Sequence, residues 1–217
     1  EHGFDLTAQL QSPEPRWQVV RRDEDGVVIV RFDDFDRGIY EKFQTEVANW
    51  AETPPSGIIL DLRNNTGGSL DIVGMIFAAF TQEAAEFAVL SGLIDDRLSV
   101  DPVAKPYLGP LVALIGPQSA SGGEFLPALF QETGRAVIIG QTTRGAVIGS
   151  RAINLPDGGL VRIGMLEITT PKGRRLEKSG LVPDIDVPLD WLAVRRGDDP
   201  ALTMALETLG QMTTTNP

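Results

Sequence analysis

Two stretches of this chain follow one plan. GIILDLR, NNTGGS and LDIVGMIFAAF run over 57–80, and LVALIG, PQSASGG and EFLPALFQETG run over 111–134. Each begins with a short, unbroken run of mostly Leu and β-branched residues, passes through a glycine turn and continues as an apolar helix. An unbroken apolar run of this length fits a strand covered on both faces, as in the middle of a parallel sheet. Parallel neighbours cannot be joined by tight hairpins, so the helices serve as crossovers. AVIIG (136–140) follows the second helix past Gly134 and reads as the next strand. The expected fold class is α/β: a mostly parallel central sheet with flanking helices, plus β-hairpins.

The hairpins are read from turn chemistry. WQVVRR and VVIVRF flank DEDG, in which Asp-Gly supplies the positive φ values of a tight turn. AVIGSRAINL and LVRIGMLEIT flank PDGG in the last third, followed by the turn PKGR at 171–174. Between 37 and 51, Ile39, Phe43, Val47 and Trp50 recur at helical spacing, and Pro54-Pro55 ends that helix. FAVLSGLI is strand-like, VPDIDVP reads as a proline-bounded edge segment, and 199–212 as a C-terminal helix. Residues 1–15 are polar and contain proline, and are expected to be a linker or the end of a preceding domain. Residues 16–212 are expected to form one core domain, and TTTNP (213–217) to fray. The chain starts at Glu1 without methionine or a signal-like stretch, the pattern of a processed or trimmed segment.

Composition removes several function classes. With 19 basic against 30 acidic residues the net charge is −11, a poor match for a phosphate backbone, and the arginine pairs are scattered, so no nucleic-acid partner is expected. Without cysteine there is no disulfide framework and no thiolate metal site. A single histidine, His2, leaves no His-ligated zinc site. No metal or other cofactor is expected. The longest apolar run, IVGMIFAAF (72–80), is far short of a membrane span.

The chemistry concentrates in SASGGEF (119–125). Ser121-Gly-Gly-Glu124 ahead of an apolar helix is a capping box, in which the hydroxyl accepts from an early helix N–H and the glutamate reaches back. The same geometry suits a nucleophile. A side chain between a buried strand and a helix start is held rigidly, and the free N–H groups of the first turn face any oxyanion formed there. Gly122 and Gly123 let the backbone approach a substrate carbonyl. NNTGG follows the other buried strand and can offer a second N–H, from Gly67 or Gly68. G-x-S-x-G is absent here, so an α/β-hydrolase elbow gains no support.

GIILDLRNNTGG (57–68), the segment from LVALIG to GQTTRGA (111–146) and RLEKSGLVPDIDVP (175–188) together resemble the tail-specific, or carboxyl-terminal processing, serine proteases. The likeness covers about Val27 to Pro188. It implies a Clp protease/crotonase-like core that usually follows a PDZ domain. It also implies an extracytoplasmic (periplasmic) endopeptidase whose substrates are peptides and unstructured protein segments. Position by position, Ser121 falls on the nucleophile, three residues before Glu124. Ser119 is only the first serine of that motif. Gly122 supplies one oxyanion N–H, and Gly67 or Gly68 the other.

One position departs from the pattern. Where the best-known branch carries a lysine as general base, this chain has Ala146, preceded by Arg144 and Gly145. A methyl group cannot take a proton, and a guanidinium stays charged at any working pH. Lys172 and Lys178 lie in other segments and read as surface lysines, and His2 sits in a polar terminus. An engineered Lys→Ala exchange and a degenerate relative that binds peptide or a small ligand both account for this. So does a second branch: GAVIGSRAINLPDGG is similar to the tricorn core and retinoid-binding-protein-like members, which draw a histidine from an upstream helical domain. In that branch a glutamate before the Gly-Val-Pro-Asp segment joins the site, and Glu177 is its match.

Overall fold

The computed structural model describes residues 17–22 and 24–215; the expected lead-in 1–15, with His2, lies outside them. The central sheet has six strands: β1 (Trp17–Arg21), β2 (Val27–Phe32), β3 (Gly57–Asp61), β6 (Leu111–Ile115), β7 (Val137–Gly140) and β10 (Ile185–Asp186), in the order β1-β2-β3-β6-β7-β10. Only β1 is antiparallel to its neighbour, and every other pair is parallel. The crossovers use α1 (Arg37–Glu52), α2 (Leu70–Ala78) and α3 (Gly122–Thr133).

Strand periodicity sorts the apolar runs onto two faces. Ile58, Leu60, Leu111 and Ala113 enter the larger core, which also holds the helix residues Phe43, Trp50, Phe77 and Phe130. Ile59, Val112 and Leu114 point the other way and pack under Ala205 and Leu209 of α5 (Pro200–Thr215). Both faces are therefore covered, as the unbroken runs required.

A second sheet is wholly antiparallel, ordered β5-β4-β9-β8 from β4 (Ala85–Gly92), β5 (Asp96–Val100), β8 (Ile148–Asn154) and β9 (Leu160–Thr169). β5 and the short α4 (Trp191–Arg196) were not expected from the sequence. α5 continues to Thr215, and the last two residues of the expected frayed tail lie outside the described residues. The Thr213 hydroxyl donates back to the Gly210 carbonyl at 2.9 Å, giving the threonine a place on the helix. No helix among the described residues is long and apolar enough to cross a membrane.

At the end of β3 a charged chain ties the sheet to α5. Buried Asp61 accepts from Arg31 (2.7 Å) and Arg63 (2.8 Å), and Arg63 also grips both carboxylate oxygens of Asp199 at 2.9 and 2.8 Å. Asp199 in turn receives the Leu202 N–H at 3.0 Å in the first turn of α5. Burial would raise the Asp61 pKa, but the Arg63 and Arg31 guanidiniums outweigh it and hold the carboxyl below its ordinary value. A depressed carboxylate stabilises the fold above its unfolded pKa and loses that contribution as pH falls through the folded value. Melting should thus be insensitive to this group from pH 5 to 8 and drop below about pH 4. In Asp61→Asn the melt should be lower at pH 7 and fall less between pH 5 and 3; parallel pH profiles for the two proteins would remove the network from that role.

Candidate active site

The turn between β6 and α3 is pinned from inside. The Ser119 hydroxyl, fully buried, accepts the Gly116 N–H at 3.0 Å and donates to the Leu62 carbonyl at 2.8 Å, just past β3. The Ala120 N–H donates to the Asn65 carbonyl at 3.0 Å, so the two glycine turns lie against one another. Their backbones leave no room for side chains. A Cβ on Gly67 would lie 2.5 Å from the Ser121 Cβ, and one on Gly123 would lie 2.4 Å from the Asn65 carbonyl oxygen.

Ser121 follows with φ 52° and ψ −118°. A residue with a Cβ rarely adopts this conformation, and holding it costs on the order of 1–3 kcal/mol. The strain aims a half-buried side chain out of the strand–helix corner. The capping box is present in outline, with its glutamate half carrying it. The Ser121 N–H donates to Glu124 Oε2 at 3.0 Å, while the Glu124 N–H rests on the Ser121 carbonyl oxygen at 3.0 Å and the hydroxyl makes no cap bond. The hydroxyl is left available for chemistry.

Glu124 does more than cap. Fully buried, it also takes the Thr143 hydroxyl and the Gly145 N–H (2.7 Å) on Oε1, and the Ala146 N–H (2.9 Å) on Oε2. Four donors satisfy a carboxylate that would otherwise be costly to bury. The result is a clamp that fixes residues 143–146 beside the serine. The Ala146 carbonyl, in turn, accepts from the Ser121 N–H at 3.1 Å.

Ser121 opens into a cavity of about 540 Å³ that Gly68, Gly122, Ala146, Val147 and Arg162 also line. The two candidate donors of NNTGG separate here. The Gly67 N–H is committed to Asn65 Oδ1 at 2.9 Å, and Gly67 does not line the cavity. The N–H groups of Gly68 and Gly122 have no partner among the described residues, and both glycines line it. Glu177 reaches the site through the backbone: its Oε2 accepts the Val147 N–H at 2.8 Å, one residue beyond Ala146. The lysines stand apart. Lys172 Nζ donates to the Glu132 carbonyl at 2.7 Å, and Lys178 is exposed. No described residue lining the cavity carries a side chain that accepts a proton near neutral pH.

Sequence reasoning missed Asn65 and most of the role of Glu124. A buried Asn immediately before a Thr-Gly-Gly turn was a readable signal, because such an amide commonly organises the backbone two residues on. The Glu124 partners were not readable, being 19 to 22 residues distant.

Comparison with known proteins gives a consistent result. The profile of Peptidase family S41 matches residues 26–187. A carboxyl-terminal-processing protease of Picosynechococcus sp. is 34% identical over 134 residues, covering 60% of this chain and 31% of that protein. A carboxyl-terminal-processing protease of Synechocystis sp. is 28% identical over 204 residues, covering 86% of this chain and 44% of that protein. The solved structure of a photosystem II D1 C-terminal processing protease superposes with a TM-score of 0.65 at 25% identity, over 84% of this chain and 50% of that one. The chain thus spans less than half the length of the two curated relatives.

Proposed function

Because the chain belongs to peptidase family S41, we propose that it is the core of a serine endopeptidase in which Ser121 is the nucleophile, cutting peptide bonds in unstructured protein segments. The observation that carries this reading is Ser121 itself. It is a strained residue with an uncommitted hydroxyl, sharing one cavity with the free N–H groups of Gly68 and Gly122. In the reaction a base takes the hydroxyl proton as Oγ bonds to the scissile carbonyl carbon. The two amides receive the oxyanion. Collapse breaks the C–N bond and the base returns its proton to the leaving amine. Water then repeats the sequence on the acyl-enzyme and frees Ser121. Gly67 serves by making room for Ser121.

The base in this reading is a histidine from a part of the protein outside these 217 residues, and Glu177 orients the side chain that arrives beside Val147. A crotonase-like core, a periplasmic setting and a PDZ or helical domain elsewhere in the protein belong to the same reading by family resemblance. One observation favours a second reading, a relative that binds peptide without cutting it: among the described residues no lining side chain accepts a proton near neutral pH, Ala146 standing at the lysine position. Incubating the intact protein with an unfolded protein separates them. Defined fragments are expected from the enzyme, and saturable binding without fragments would establish the binder.

A further inference from the structure

The cavity beside Ser121 is lined by apolar, glycine and hydroxyl residues with one exception, Arg162 of β9. Its guanidinium has no hydrogen-bond or ion-pair partner among the described residues. Other arginines of, or against, the same sheet are paired: Arg97 holds Glu86 at 2.7 Å, and Arg175 holds Glu167 at 2.8 Å. Arg151 of β8 also lacks a partner, but it lies outside the cavity lining. Arg162 sits opposite Ala152 on β8, whose nearer residues Ile148 and Ser150 lead along the wall to the serine.

We propose that Arg162 is a specificity-determining residue that holds a carboxylate of the substrate within about three residues of the bond cut at Ser121. The inference rests on the peptidase reading and names its substrate class. A planar guanidinium with five donors matches a carboxylate in two parallel hydrogen bonds, which an uncharged wall cannot offer. The distance follows from the cavity. A volume of about 540 Å³ is on the order of 10 Å across, and extended chain covers that in about three residues at ~3.3 Å each. The carboxylate is either an Asp or Glu side chain or the chain's own C-terminus. The field of the whole chain, at net charge −11, repels anions, so any preference for one has to come from local contact.

The test uses the intact protein and three forms of one peptide: amidated with uncharged side chains, the same with a free C-terminus, and amidated with a single Glu walked three residues either side of the cut, with a Lys counterpart of the last as the charge-reversed control. Because Arg162 is exposed, the gain in kcat/KM over the neutral peptide should be about three- to tenfold, shrinking at high salt. Arg162→Glu should reverse the preference toward a Lys-bearing peptide. A gain confined to the free terminus, or to the Glu series, identifies the source of the carboxylate. Peptide affinities of the Ser121→Ala protein are measured in parallel. A carboxylate preference in binding without any cleavage would keep Arg162 and sink the peptidase reading. Equal kcat/KM and equal affinity across the three peptides, or a preference that Arg162→Glu leaves intact, would overturn the inference.

Discussion

In the intact protein, Ser121→Ala should lose at least about 10⁴-fold in cleavage of an unfolded substrate, because the hydroxyl that faces both oxyanion amides and forms the acyl bond is gone. The melt should barely move. The hydroxyl makes no cap hydrogen bond, so its removal costs less than the ~1 kcal/mol typical of a lost cap. Alanine also keeps the Cβ, and with it the strain at φ 52°. Ser121→Gly should be equally inactive yet more stable, by about 1 kcal/mol or more, since glycine adopts this conformation without penalty. Proteolysis rates and thermal melts of the two variants check both halves. An active alanine variant would remove Ser121 from the role, and a glycine variant no more stable than the alanine one would remove the strain.

Replacing Glu124 should have the opposite profile, with a large loss of stability that brings activity down with it. Glu124→Ala leaves the Thr143 hydroxyl and the Gly145 and Ala146 amides without their acceptor and frees one side of the Ser121 N–H. Each unmet buried donor costs about 1–3 kcal/mol, and after relaxation the sum should be on the order of 3–5 kcal/mol. At roughly 2–4 °C per kcal/mol for a domain of this size, the melt falls by about 6–20 °C. Glu124→Gln should not rescue it. An NH₂ at the Oε2 position meets the Ser121 and Ala146 N–H groups, and one at the Oε1 position still meets the Gly145 N–H. Thermal melts and the hydrogen-exchange protection of the Gly145 and Ala146 amides report the effect. A glutamine variant melting within about 2 °C of the parent would show that the clamp is not what holds residues 143–146.

The parts of the fold that were legible are those set by short-range patterns. Ile58, Ile59 and Leu60 announce a strand buried on both faces, and they divide between the two cores accordingly. The Gly-rich turns after the two runs point to a candidate site, and β3 and β6 are neighbours, which brings NNTGG against SASGG. β5 escaped because DRLSV carries little apolar signal and forms by pairing with β4 at a sheet edge. The choice between Gly67 and Gly68 was also out of reach. Both have positive φ, and only the Asn65 side chain, by engaging the Gly67 amide, tells them apart. Glu124 looked like an ordinary cap because local sequence shows the helix it starts, while the loop it clamps arrives from across the sheet.

In the proposed function Ser121 is a nucleophile with its oxyanion donors in place and its base supplied from elsewhere in the protein. An activity-based phosphonate probe tests this directly, applied side by side to the isolated 217 residues and to the intact protein. The expected result is slow or no labelling of the isolated chain and fast labelling of the intact protein, with the adduct mapped to Ser121 and absent from Ser121→Ala. Fast, stoichiometric labelling of the isolated chain, or an adduct on any other residue, would contradict it.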